Sequence, residues 1–420
     1  MTKVKPFKAV RPETQYVSRV ACPPYDVVSE KEARDMVKKE PLSFMQVIRP
    51  EAACKEGEEF SREEAYKKAG ELINENVKKG IFVEEEKPCF YIYRQIASGR
   101  IQTGLVACFG ADDYMEGRIK QHEATRKNKE EDRICHINAC SANTGLVYLA
   151  YRNAPALKSL VKKAAHGEAI YDFTSSDRVR HVVWRVSDPD LISAIEKAAG
   201  GIDSFYIADG HHRAASAVAV CRKKREENPS YSGEEDFNYF MAVAFPSEEL
   251  FIMPYYRVVK DLNGLSREEF LGRVSERFEV SEVSSDFTRK EKEKHADHPV
   301  RKNEIAMFLD EKWYCLKAKE EILKSDPVGV LDVSLLQENV LSPILGIEDP
   351  RVDERIDFVG GIRGMEELER RCHEDMRLAF ALYPTSMEEL MAVADAGLYM
   401  PPKSTWFEPK LESGLFVHRI

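Results

Sequence analysis

A chain of 420 residues with 43% hydrophobic and 32% charged side chains has enough apolar sequence for a sizeable core and is not a disordered polymer. Its 62 basic against 72 acidic residues leave a net charge of -10, which argues against nucleic acid as the main partner but still allows a local cationic pocket. No apolar run approaches the roughly 18–20 residues of a membrane span, no apolar segment follows the charged start, and the nine cysteines include no CxxC pair, so a reduced, cytoplasmic protein without membrane contact, disulfide framework or zinc ribbon is expected.

In chain order, Ser29 followed three residues later by Glu32 is a capping pattern that predicts a short helix over 29–39. Ser61 and Glu64 repeat it and predict a helix over 61–79, stopped by Gly80. Two β-prone runs, 89–96 and 100–109, joined at Ser98-Gly99, predict a hairpin. Strands are expected over 144–151, 169–173 and 181–186. Cys135 and Cys140, five apart on an expected helix, read as ordinary thiols. Asp188 and Pro189 open a helix over 188–199 that stops before Gly200-Gly201. A short strand over 204–208 then runs into an alanine-rich helix over 210–227.

Further on, 239–245 is apolar and β-prone, 266–278 is helical, and 282–302 reads as a charged, solvated excursion. Residues 304–309 and 312–316 make a second hairpin. Helices over 331–344, 365–375 and 386–396, with strands near 355–359 and 377–382, close the chain. Hairpins recurring among helices favour an α+β fold with mixed sheets over a doubly wound one. Boundaries are placed near 155 and 325, giving an N-terminal α+β region (1–155), a central region (156–325) and a C-terminal α+β region (326–420) that packs back on the site.

The densest chemistry lies at Asp209-Gly210-His211-His212-Arg213. An apolar strand ends at Asp209, Gly210 permits a tight turn or a close ligand approach, and a helix starts at once. Free N–H groups and the positive dipole end of a helix start favour an anion. Arg213 adds a guanidinium that can grip phosphate in a bidentate way, and His211 and His212 add donors or a proton-transfer group. Asp209 can cap the helix, hold a histidine or an arginine, or ligate magnesium. A zinc site at this turn is not expected, because adjacent histidines do not easily face one metal.

His122, Glu123, Thr125 and Arg126 lie in a polar stretch within a local basic cluster that also holds Arg118, Lys120, Lys127 and Lys129; it can close over phosphates, with His122 or Glu123 as acid or base and Arg133 joining from the following helix. Tyr25 and Asp26 follow two prolines that hold the backbone rigid. Arg355 and Asp357 alternate along a short strand and face one side, as an ion pair or a substrate clamp. Lys403, Ser404 and Thr405 look like the end of a P-loop, but Pro401 and Pro402 stand where the glycines belong, so a true Walker A is excluded while a lysine and hydroxyls remain for a phosphate.

Taken in order, Pro23 to Val27, Gln121 to Thr125, Glu131 to Arg133, Ala208 to Arg213, Arg355 to Asp357, Pro402 to Trp406 and Glu408 to Lys410 resemble the family called domain of unknown function 1015, over nearly the whole chain. The Asp-Gly-His-x-Arg turn is also similar to that of the free-serine kinases of the ParB/sulfiredoxin-like superfamily. This second resemblance covers the turn and its flanks, and implies a ParB/sulfiredoxin-like core in the central region, phosphate binding at the helix start, ADP as phosphoryl donor and free L-serine as acceptor.

The expected function is therefore a small-molecule phosphotransferase that interconverts serine and phosphoserine with ADP or ATP, in either direction, with Mg2+ and without an organic prosthetic group. His122, Glu123, Asp209 and His211 are the candidate catalytic groups, and which histidine faces the ligand stays open. Gly210, His212, Arg213, Arg126, Lys403, Ser404 and Thr405 are candidate phosphate or nucleotide ligands, and Tyr25, Asp26, Arg355 and Asp357 candidate substrate ligands. Asp209 is the candidate magnesium ligand. A phosphorylated small molecule is the expected partner, a homodimer is compatible with the sequence, and neither membrane nor nucleic acid is expected. Two alternatives stand beside this reading: a nucleotide-binding regulator of the ParB type, and a phosphodiesterase or nuclease using the histidines.

Overall fold

The computed structural model describes residues 1–53, 61–283 and 301–420, and the α+β expectation holds. Two compact units form: residues 1–250 with 409–420, and residues 251–408.

The first unit is organised by a mixed sheet in the order Ile119–Lys120, Phe205–Asp209, Val147–Tyr151, Tyr239–Pro246, Arg100–Gly110, Phe90–Ala97, Arg180–Val186, Tyr171–Thr174, with Val4–Lys5 pairing onto Arg100–Gly110. Its central strands Val147–Tyr151 and Tyr239–Pro246 are buried at every residue and pair in parallel, which explains why they read as continuous apolar runs rather than alternating ones. The expected hairpin joins Phe90–Ala97 to Arg100–Gly110. Both turn residues, Ser98 (φ 48°) and Gly99 (φ 77°), adopt the left-handed backbone that matches the twist of a two-residue hairpin. The His211–Glu227 helix packs Ala214, Ala217, Val218 and Cys221 into the same core as Phe205, Ile207 and Leu149, so its small alanines let it lie close to the sheet. A second core under the Arg62–Lys78 helix gathers Phe44, Met45, Ala69, Ile73 and Phe82. The serine caps at Ser29 and Ser61 form complete capping boxes, and Asp188 caps the helix that Pro189 opens.

Two small sheets were not expected: Phe251–Met253 pairs with Trp406–Glu408 in the second unit, and the first unit holds a four-stranded one. Phe82–Glu84, Ala9–Pro12, Val417–Arg419 and Ala142–Asn143 form it in that order, with strands of two to four residues that are too short to show a period. Its effect is large, because pairing of Val417–Arg419 with Ala9–Pro12 carries residues 409–420 back into the first unit.

The second unit holds an antiparallel sheet ordered Phe278–Val283, Lys312–Ala318, Glu304–Leu309, Leu378–Leu382, Tyr255–Val259, Ile356–Gly360. The helix Met365–Glu374 buries Met365 and Leu368 in a core with Tyr256, Val258 and Trp313. The predicted second hairpin is present. Of the charged excursion over 282–302, residues 284–300 lie outside the described residues.

The structure does not divide at 155 or 325. A cut at 155 would part Val147–Tyr151 from its partners Phe205–Asp209 and Tyr239–Pro246, and a cut at 325 would part Glu304–Leu309 from Leu378–Leu382. Sheet pairing between strands distant in sequence overrides a division by length. Among the described residues no helix is long and apolar enough to cross a membrane, and the cysteines are free thiols.

Candidate functional site

The strand Phe205–Asp209 carries a bulge between Ile207 and Asp209, which turns the Asp209 side chain out of the regular alternation. Gly210 follows with φ 91° and ψ 30°, a left-handed conformation that favours glycine. It also makes room: a Cβ on Gly210 would lie 3.2 Å from Arg213 Nε and 3.3 Å from its Cζ. The Arg213 side chain thus folds back beneath its own helix start. Gly145 performs a milder version of this service, its added Cβ lying 3.4 Å from Arg213 Cδ.

The helix His211–Glu227 has no side-chain cap on its first turn, unlike the helices opened by Ser29, Ser61 and Asp188. Its first N–H groups are therefore left to another acceptor. Arg213 donates through Nη1 to the Leu146 carbonyl. Its Nη2 lies 3.8 Å from Asp26 and 4.0 Å from Asp209, while the buried Nε has no hydrogen-bond partner among the described residues. Burial opposes its charge, but Asp26 and Asp209 more than offset that and hold the guanidinium cationic.

Asp209 is the anchor of this arrangement. Its Oδ1 accepts from the Gly210 N–H at 2.7 Å and its Oδ2 accepts from Lys410 Nζ at 3.0 Å. Burial works to raise its pKa, yet Lys410 and Arg213 prevail and hold the carboxylate well below the usual range. Both oxygens thus face donors, one of them an ammonium, which competes with the magnesium-ligand role expected of this carboxylate. Lys410 was not among the predicted site residues. The signal for it was present in the Glu408-Pro409-Lys410 segment, but long-range contacts bring it here: Gln95 Nε2 donates to the Lys410 carbonyl at 2.8 Å, Cys22 bridges Ser413, and the C-terminal strand pairs with Ala9–Pro12.

The two histidines of the turn do different work. His211 is 4% exposed and accepts the backbone N–H of His122 at Nε2, at 3.4 Å. Its proton accordingly sits on Nδ1, 3.9 Å from a Glu123 oxygen. Burial, reinforced by His122, holds its pKa well below the ordinary value, so the ring is neutral. His212 accepts the Arg126 backbone N–H at Nε2, at 2.9 Å, and so ties the 122–126 segment to the helix start. Its pKa too is lowered, by burial and then by Lys129.

His122 stacks edge-on against His211 with ring centroids 4.5 Å apart. It is 2% exposed, and burial lowers its pKa to about 4 despite a hydrogen bond to the Ile207 backbone. Glu123 is half-exposed beside these rings, and Arg126 is exposed at the start of the Lys127–Cys140 helix.

A narrow pocket of about 40 Å³ is lined by Tyr25, Arg133, Arg213, Asn143, Thr144 and Gly145 among others. Arg133 stacks on Tyr25, with the guanidinium carbon 4.5 Å from the ring centroid, and is steadied by Asp132 at 2.6 Å and by the Ile48 carbonyl at 3.3 Å. Burial, with the negative Asp26 adding to it, pushes the Tyr25 hydroxyl up to about 12, so it remains a neutral donor. Two guanidinium groups and a phenol on one wall make a receptor for an anionic small molecule.

The first unit therefore brings together Tyr25, Asp26, His122, Glu123, Arg126, Asp209, Gly210, His211, His212 and Arg213. The remaining candidates, Arg355, Asp357, Lys403, Ser404 and Thr405, belong to the second unit, and the first four have local partners there. Arg355 binds Asp353 at 2.8 Å and the Leu345 carbonyl at 3.0 Å, and Asp357 accepts from Arg371 at 2.9 Å. They do not form the ion pair with each other that their alternation allowed. Ser404 is buried and turns its hydroxyl to the Pro401 carbonyl at 2.5 Å, and Lys403 lies over the Tyr255 ring at 5.4 Å.

The family model of DUF1015, described as a protein of unknown function, matches residues 4–334. The chain belongs to the DUF1015 family. Its signature turn and the Gln121 to Thr125 segment of this DUF1015 protein both lie within the matched span. No curated protein matches it. Among solved structures, a free serine kinase in complex with ADP is similar at 16% identity and a TM-score of 0.35, covering 74% of this chain and 92% of that one. A conserved hypothetical protein from Pyrococcus furiosus is similar at 15% identity and a TM-score of 0.33, covering 75% and 95%. SbnI with a C-terminal truncation, from Staphylococcus aureus, is similar at 12% identity and a TM-score of 0.39, covering 74% and 87%.

Proposed function

We propose that this protein is a small-molecule phosphotransferase that interconverts serine and phosphoserine with an adenine nucleotide. Arg213 carries the reading. It is a buried guanidinium on the first turn of an uncapped helix, on the wall of a pocket, with an Nε–H that lacks a partner among the described residues. A buried, unpaired donor of this kind costs about 1–3 kcal/mol. A phosphoryl oxygen supplies the missing acceptor and also meets the free N–H groups of the helix start. Phosphoryl transfer asks mainly for such positioning and charge neutralisation, with one base for the nucleophile.

Glu123 is the base in this reading. Asp209, with its pKa held low by two cations, is a poor proton acceptor and holds Lys410 and Arg213 in place. His211 presents its Nδ1–H toward Glu123 and orients it, and His122 positions His211 through its backbone N–H. In the kinase direction Glu123 takes the serine hydroxyl proton. The serine Oγ then forms a bond to the β-phosphorus of ADP, the bond between that phosphorus and the bridging oxygen breaks, and AMP leaves with the electron pair. The reverse reaction uses the same groups. Serine as the acceptor rests on the resemblance of the Asp-Gly-His-x-Arg turn to free-serine kinases. In this reading no step is assigned to Lys403, Ser404, Thr405, Arg355 or Asp357.

The test is melting of the purified chain with phosphoserine, AMP, ADP and inorganic phosphate, followed by incubation of serine with ADP and quantitation of phosphoserine and AMP. A ligand at 100 times its Kd stabilises the folded state by about 2.7 kcal/mol. Stabilisation by phosphoserine with AMP, and product formation lost in Arg213→Ala, are expected. No melting shift with any of the four ligands, or equal turnover in Arg213→Ala, overturns the reading.

A further inference from the structure

We propose that Asp177, His181 and Glu412 bind a divalent transition-metal ion of the zinc or manganese class, which fastens the C-terminal segment to the sheet of the first unit. One donor atom from each of the three lies within 4.8 Å of the others. They come from separate places: His181 from the strand Arg180–Val186, Asp177 from the turn that joins it to Tyr171–Thr174, and Glu412 from the returning segment 409–420.

Glu412 is the observation that points to a cation. Its side chain is 7% exposed. Among the described residues its carboxylate receives no hydrogen bond and forms no ion pair with lysine or arginine; His181 Nε2, 3.9 Å away, is its partner. A buried carboxylate without a cation is costly. A metal ion removes that conflict by meeting both carboxylates at once.

The imidazole is set for the task. His181 Nδ1 lies 2.7 Å from the Tyr93 hydroxyl, and the ring is held between Phe173 and Tyr93. With the proton on Nδ1, donated to Tyr93 Oη, the Nε2 lone pair turns toward Glu412; orientation of a ligating histidine through its second nitrogen is common to metal sites. Ser175 Oγ lies 2.9 Å from Nε2 and also bonds Asp177, so binding exchanges this hydroxyl for the cation. Ligands in a tetrahedral shell with bonds of about 2.0 Å stand roughly 3.3 Å apart. The exposed Asp177 closes the difference by a rotamer change. An imidazole with two carboxylates suits a transition metal better than magnesium or calcium, which prefer an all-oxygen shell. Glu412 is two residues from Lys410, so an ion here also steadies the ammonium that holds Asp209.

The full chain, stripped by chelator and dialysed, is titrated with Co2+ by absorption and then competed with Zn2+. One ion per chain is expected, with ligand-field bands and no thiolate charge-transfer band. Zn2+ raises the melting temperature of the wild type and not of Asp177→Asn. Both Asp177→Asn and Glu412→Gln weaken binding by at least about tenfold. Asp177 is exposed, so its variant decides the matter even where Glu412→Gln fails to fold. Absence of a bound ion, a thiolate spectrum, or wild-type affinity in Asp177→Asn overturns the proposal. These readouts need no turnover and are independent of the phosphotransferase reading.

Discussion

The sharpest perturbation of the site is a single methyl group on Gly210. At φ 91° an alanine is strained, and the left-handed region costs an L-residue roughly 1–2 kcal/mol. The new Cβ would also stand 3.2 Å from Arg213 Nε and 3.3 Å from its Cζ, so the guanidinium has to give by a few tenths of an ångström. For a unit of this size each kcal/mol lowers Tm by about 2–4 °C, which predicts a fall of about 2–8 °C for Gly210→Ala. Displacing Arg213 removes a charge-assisted hydrogen bond to the ligand worth about 1.5–3 kcal/mol, or roughly 10- to 150-fold in Kd. Gly145→Ala is the control. Its Cβ makes an ordinary 3.4 Å contact with Arg213 Cδ, and its backbone is not left-handed. It should change stability by less than about 1 kcal/mol and lower affinity less than Gly210→Ala does. Calorimetric titration with phosphoserine, alongside thermal unfolding, separates the two effects. Wild-type affinity in Gly210→Ala, or an equal loss in Gly145→Ala, would refute the placement of Arg213 against the anion.

Three further outcomes are expected. Lys410→Met removes the ammonium from Asp209 and lowers stability at neutral pH by about 1.5–3 kcal/mol; because the Asp209 pKa is depressed, the deficit holds above the unfolded carboxyl value of about 3.9 and fades in acid. Urea unfolding across this range checks it, and a deficit that persists in acid contradicts it. His122, His136 and His181 are buried with pKa lowered to about 4, so between pH 6.5 and 4 the unfolded chain binds more protons and stability falls by up to about 1.4 kcal/mol per pH unit for each. His136→Gln should flatten that slope in the same unfolding series, and an unchanged slope tells against the neutral buried ring. Glu123→Gln should lower kcat by about 100-fold or more while Kd for phosphoserine stays within about threefold; retained turnover removes Glu123 as the base.

Much of the local architecture was legible along the chain because it is written in adjacent residues. Serine with glutamate three later capped helices at Ser29 and Ser61, and Ser98-Gly99 turned a hairpin. The Asp209 to Arg213 turn was legible for the same reason, since a strand end, a glycine and a helix start are consecutive. The unit boundaries were not legible, because they follow from pairing among strands as far apart as Val147–Tyr151 and Tyr239–Pro246. Asp209 was legible as a charged group at the turn, but its lysine partner was not, because which cation meets a carboxylate depends on what the fold delivers.

The sequence by itself determined that an α+β chain would place a glycine-turned helix start beside Arg213 and two histidines, because propensity, capping and turn chemistry act over a few residues. Tertiary structure alone decided what those groups do. Long-range contacts, among them a three-residue strand at Val417–Arg419, bring Lys410 to Asp209, and close packing against the sheet buries His122 and His211 until their rings are neutral. Charge and protonation are set by neighbours in space, and those neighbours lie up to 201 residues away along the chain.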